Sequence, residues 1–136
     1  MFHAEVKWTG TEMQFQAKGN AGHQLLLDGD GKVASSPMEL VLIALCGCTA
    51  YDVVSILKKK REPVTGVKVS AEAEKAENPP RVYTAIRLSY RISGQVSRKS
   101  AEDAVRLSEE KYCSVAAMLG KTARISYEIH LSSQDG

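Results

Sequence analysis

Three side chains in this sequence could do nucleophilic or redox chemistry: Cys46, Cys48 and Cys113. A thiolate can attack an electrophilic oxygen or sulfur, or bind a metal, and burial among apolar groups opposes its formation. Cys46 and Cys48 lie inside the most hydrophobic stretch of the chain, SPMELVLIALCGCTAYDVVSILKKKR at residues 36–61. On a helix, residues two apart point about 200° away from each other, so this pair cannot close a strain-free disulfide. Cys113 opens a second apolar stretch, CSVAAMLG, directly after EEKY. At a helix N-terminus the backbone dipole favours its thiolate. Against these readings stands the commonest fate of a free cysteine, which is to be a small buried hydrophobe.

The odd number of cysteines argues against a structural disulfide framework, as does an N-terminus, MFHAEVKWTG, without the basic and apolar regions of a secretory leader. A metal is not expected either: Cys-x-Cys with one distant cysteine is not a zinc spacing, and His3, His23 and His130 fall on separate predicted strands. No cofactor is expected.

The elements that must carry these thiols follow from periodicity. Residues 3–8, 13–19 and 23–28 read as strands; Met13, Phe15 and Ala17 alternate with Gln14, Gln16 and Lys18. Thr9 to Glu12 reads as a hairpin turn, and DGDG at 28–31 as a second turn. Ser36, Pro37 and Glu39 form a helix start, with a capping box from Ser36 to Glu39 and proline at the first helical position. KKKR at 58–61 suits the negative end of the dipole, and Pro63 ends the helix. A helix of about 24 residues is roughly 36 Å long. It is apolar on nearly all sides, which a small monomer has difficulty covering; this predicts an obligate dimer. Gly47 costs about 0.5–1 kcal/mol inside a helix, which predicts another element in close approach beside it.

Strands follow at 64–75 and 81–94. Val82, Thr84, Ile86, Leu88, Tyr90 and Ile92 are expected on the core face of the second, with Arg81, Tyr83, Arg87 and Arg91 on the wet face. Residues 97–112 and 113–123 read as helices and 124–132 as a last strand. The order βββ-α-ββ-αα-β defines an α+β class with antiparallel sheets, in one domain spanning 1–136. A net charge of +2 gives no case for nucleic acid, and KKKR reads as a helix end. The apolar run from Met38 to Ala50 is shorter than the roughly 20 residues a bilayer needs. A cytoplasmic protein without membrane contact is expected.

SPMELVLIALCGC, followed about 65 residues later by SEEKYCSVAAML, resembles the OsmC/Ohr family of thiol peroxidases, and CTAYDVVSILKKKR resembles its OsmC-like branch. The resemblance covers essentially the whole chain. It implies an OsmC-like fold: an intertwined homodimer with antiparallel sheets around a long central helix from each subunit. It implies that Cys48 is the peroxidatic thiol, eleven residues after Pro37, and that Cys113 resolves it. It implies an organic hydroperoxide as substrate, a lipoyl-type dithiol as reductant, and a part in oxidative-stress defence.

The sequence departs from the family pattern in three places. Where the peroxidases carry a glutamate after the proline, this chain has Met38, with Glu39 next. No arginine occurs in residues 1–60, where the peroxidases supply their catalytic one. Ser114 stands where they tend to have proline. Glu39, Lys18 and Asp52, one helical turn after Cys48, are the candidate supporting residues. A non-peroxidase alternative follows from these departures: a dimer of the same fold that acts on another sulfur electrophile, such as a disulfide or persulfide, or that binds an apolar small molecule at its interface.

Overall fold

A computed structural model describes residues 1–133. It separates into two compact units, residues 1–43 and the described residues from 44 onward, and one helix runs across the boundary.

The first unit begins with an antiparallel meander of β1 (Glu5–Trp8), β2 (Gln14–Lys18) and β3 (Gln24–Asp28), with Trp8 opposite Phe15 and Phe15 opposite Leu27. The β1–β2 turn closes with the Thr9 N–H donating to the Gln14 carbonyl at 3.0 Å, and Gly10 takes a φ of +88° that glycine adopts without strain. The DGDG turn is organised by one carboxylate. Asp28 accepts from the backbone N–H groups of Asp30 (2.9 Å), Lys32 (3.1 Å) and Val33 (3.0 Å), and these donors hold its carboxyl below the usual carboxylate range.

Helix α1 (Pro37–Lys59) starts with the Ser36 half of the expected capping box: the Glu39 N–H donates to Ser36 Oγ at 3.2 Å. Leu45, Thr49, Val53 and Leu57, four residues apart in turn, are completely buried. Gly47 and Tyr51, on the other side, are exposed. By length and hydropathy α1 also suits a bilayer, with a mean hydropathy of 2.2 over its most apolar window. Only 22% of that window is buried within the chain; the buried stripe packs into the second unit, where Asp52 accepts a hydrogen bond from the Ser108 hydroxyl.

The second sheet joins β4 (Val64–Lys75), β5 (Tyr83–Gly94) and β6 (Arg124–Ser132), with β5 central. β4 and β5 pair antiparallel, but β6 runs parallel to β5, a correction to the all-antiparallel expectation. The reason is the connection. Helices α2 (Arg98–Leu107) and α3 (Ser114–Leu119) lie between β5 and β6, and such a crossover returns the chain in the same direction.

β5 supplies the largest share of the core: Ile86, Leu88, Tyr90 and Ile92 are buried as the alternation predicts. At its start the expected faces are exchanged. Tyr83 and Ala85 are buried, whereas Val82 and Thr84 are exposed. A register shift at Glu74/Lys75 adds a residue there and inverts the phase.

Candidate functional site

The two thiols picked out by the sequence come from different elements of the second unit. Cys48 is on α1; Cys113 is the N-cap of α3. A five-residue π-helical turn, Ser108–Tyr112, precedes Cys113, whose N–H donates to the Ser108 carbonyl at 2.9 Å. This wider turn ends α2 and delivers three side chains inward: Ser108, Glu109 and Cys113. Single π turns of this kind gather at functional sites.

Cys48 Sγ, Cys113 Sγ and an Asp52 carboxylate oxygen all lie within 4.8 Å of one another. Asp52 reaches Cys48 because four residues make one helical turn. Ser108 Oγ donates to Asp52 Oδ2 at 2.9 Å, which fixes the carboxylate. All three cysteines are free thiols. Beside Asp52 is a groove of about 470 Å³, lined also by Tyr51, Ile56, Lys60, Leu107 and Tyr112.

Cys113 is 3% exposed, and burial, followed by its hydrogen bond with Cys48, pushes its thiol up to about 12. The Ala116 N–H donates to its sulfur at 3.3 Å and pulls the other way. Burial wins, so the thiolate expected from the helix N-terminus is corrected: Cys113 is a protonated thiol at neutral pH. The short α3 has too little dipole to offset desolvation. Cys46, on the other side of α1 from Cys48, is also raised by burial.

A second buried pair was not apparent in the sequence. Tyr90 of β5 donates its hydroxyl to Glu109 Oε1 in a short hydrogen bond. Burial raises the Tyr90 phenol, and the hydrogen bond to Glu109 raises it further; burial also raises the Glu109 carboxyl. Thr49 hydrogen-bonds to Tyr90 and Cys113 acts on it electrostatically, so this pair borders the thiol cluster. Tyr90 stood on the predicted core face, and a buried phenol needs a partner. Glu109, in a run of two glutamates, reads along the chain as helix surface.

The other sequence candidates serve locally. Lys18 pairs with Glu5 at 3.4 Å, and Glu39 is an exposed helix-start residue. The arginines of β5 lie on its solvated face: Arg87 pairs with Glu72 at 3.8 Å, and Arg91 is exposed.

An α+β unit in which a long core helix presents one thiol to a second thiol at the head of a short helix defines a class of dithiol proteins. Comparison with known proteins names the family. Residues 29–128 match the family of OsmC-like proteins. The chain is 46% identical over 130 residues to Protein YhfA of Escherichia coli strain K12, covering 93% of this chain and 96% of that protein. A crystal structure of a protein from Aquifex aeolicus VF5 superposes with a TM-score of 0.84 at 34% identity, over 96% of this chain and 97% of that one. An organic hydroperoxide resistance protein OsmC from Legionella pneumophila shares the fold, with a TM-score of 0.71 at 16% identity, over 95% and 96% of the two chains. The chain belongs to the OsmC-like family.

Proposed function

We propose that this protein reduces organic hydroperoxides with two thiols, Cys48 attacking and Cys113 resolving, as part of oxidative-stress defence in the cytoplasm. The observation that carries the reading is the approach of the two sulfurs to within 4.8 Å in a chain of the OsmC-like family. The name of the Legionella neighbour points the same way.

The roles follow from burial. In the first step the Cys48 thiolate attacks the outer peroxide oxygen, the O–O bond breaks, and the alkoxide takes a proton to leave as an alcohol. Cys48 becomes a sulfenic acid. In the second step Cys113, the more buried thiol and the one held protonated, condenses with the sulfenic acid; the S–S bond forms and water leaves. A dithiol of lipoyl type then reduces the disulfide by two thiol–disulfide exchanges.

The working unit is a homodimer. Gly47 sits mid-helix, yet a Cβ built there meets nothing within 4 Å. Nothing in its own chain requires the glycine, which costs about 0.5–1 kcal/mol in a helix. The close approach of a partner's α1 accounts for it. Tyr51, 74% exposed, and the apolar groove formed with Ala50 and Val54 belong to the same face.

A second reading is favoured by Asp52. The group held against the thiols is a carboxylate, and an alkoxide leaving group gains nothing from it. A disulfide or persulfide substrate expels a thiolate, a far better leaving group than an alkoxide, and needs less help.

Turnover separates the two. The reduced protein is given an organic hydroperoxide, or in parallel a persulfide, with dihydrolipoamide as reductant. Consumption of hydroperoxide over many turnovers, lost in Cys48→Ser, is the expected result. Turnover of persulfide alone would replace the first reading with the second.

A further inference from the structure

Along the chain, Cys-x-Cys with one distant cysteine is not a zinc spacing, which argues against a metal. Folding removes that objection. We propose that Cys48, Cys113 and Asp52 form a binding site for a thiophilic divalent cation of the zinc type, with a fourth position left for water or a small ligand. The site uses the thiols of the reading above and needs them only reduced, not peroxide-reactive.

Two thiolates and a carboxylate are a donor set that zinc accepts, and three protein ligands with one open position is a recurring zinc arrangement. Bond lengths of about 2.0–2.3 Å put tetrahedral donors roughly 3.3–3.8 Å apart. The donors here already lie within 4.8 Å, so side-chain shifts of about an ångström or less complete the geometry. Ser108 supplies the outer hydrogen bond that orients a ligating carboxylate, at 2.9 Å. The groove beside Asp52 gives a path of entry.

Charge supports the assignment. Among the described residues Asp52 takes part in no ion pair, and Lys60, which lines the same groove, is engaged with Asp103 at 3.6 Å. Two thiolates beside Asp52 would repel one another with no cation paired to them. A divalent ion supplies the missing charge. Each thiol gives its proton to solvent on binding, and no atom is oxidised or reduced. A Cys48 sulfur bonded to the ion cannot attack a peroxide, so metal and hydroperoxide exclude each other.

Cobalt(II) is the probe. The reduced, chelator-treated, full-length protein is titrated with cobalt(II) and then with zinc(II). One equivalent of cobalt per chain should produce sulfur-to-cobalt charge-transfer absorption together with the intense visible bands of tetrahedral cobalt, and zinc should remove both. The bands should persist in Cys46→Ser and vanish in Cys48→Ser and Cys113→Ser, each checked by circular dichroism. Asp52→Asn should weaken zinc binding by at least about tenfold. In the unmutated protein, zinc should shield Cys48 and Cys113 from alkylation and leave Cys46 reactive. Absence of the thiolate bands, their survival without Cys48, or their loss with Cys46 would overturn the proposal. The two readings fail separately. Cobalt bands without any hydroperoxide reaction of the metal-free protein keep the site and remove the peroxidase. Disulfide formation without bands does the reverse.

Discussion

Along α1, Leu45, Thr49, Val53 and Leu57 are sealed from solvent, whereas Gly47 and Tyr51 lie open on the other side. Both faces are built largely from apolar or small residues. What separates them is what the chain itself can cover. The buried stripe holds the second unit together and aims Cys48 and Asp52 at Cys113; the open face carries a glycine and a tyrosine that the same chain leaves without cover. The β1–β3 meander shows the second condition again, with Val6 and Trp8 more than half exposed. One helix thus does two jobs, and a substitution should reveal which face it touches.

The largest effect is expected on the sealed face. Leu57→Ala removes a fully buried side chain and should cost about 2–5 kcal/mol of unfolding free energy, read by denaturant titration. On the open face the substitution is Gly47→Leu, where an added Cβ meets nothing within 4 Å in its own chain. It should leave the monomer fold intact by circular dichroism while raising the dimer dissociation constant at least tenfold, about 1.4 kcal/mol, by sedimentation. A variant that stays dimeric would remove the close-approach account of Gly47.

A pH effect sharpens the contrast between the thiols. Cys113 is raised to about 12 in the folded protein, against about 8.5 for an unfolded thiol. Above about 8.5 the unfolded chain loses this proton first, so folding stability should fall as pH rises from there toward 12. Cys113→Ser should flatten that part of the stability profile. The smallest effect is expected at Cys46, which faces away from the pair: Cys46→Ser should leave the hydroperoxide reaction unchanged.

Much of this architecture was legible in the sequence because local signals agreed. Ser36, Pro37 and Glu39 marked the start of α1, alternation marked the strands, and a four-residue spacing placed Asp52 beside Cys48. The direction of β6 was legible too, had the two intervening helices been taken as a crossover. Other features were hidden for physical reasons. The π turn at Ser108–Tyr112 breaks the 3.6-residue period, so Glu109, one of two adjacent glutamates, gives no sign along the chain of its inward place. The shift opposite Glu74/Lys75 exchanged the faces of Tyr83 and Val82, which no alternation count can foresee. The loss of the Cys113 thiolate depended on burial, a property of the whole fold and not of the helix start.

The central claim is that Cys48 and Cys113 act as one redox pair. Its most direct test is peptide mapping of the reduced, metal-free protein after one equivalent of an organic hydroperoxide, with intact mass followed in time. The account predicts a rapid loss of two hydrogens and a Cys48–Cys113 disulfide, with Cys46 still free. Recovery of both thiols unmodified, or a disulfide that includes Cys46, would contradict it.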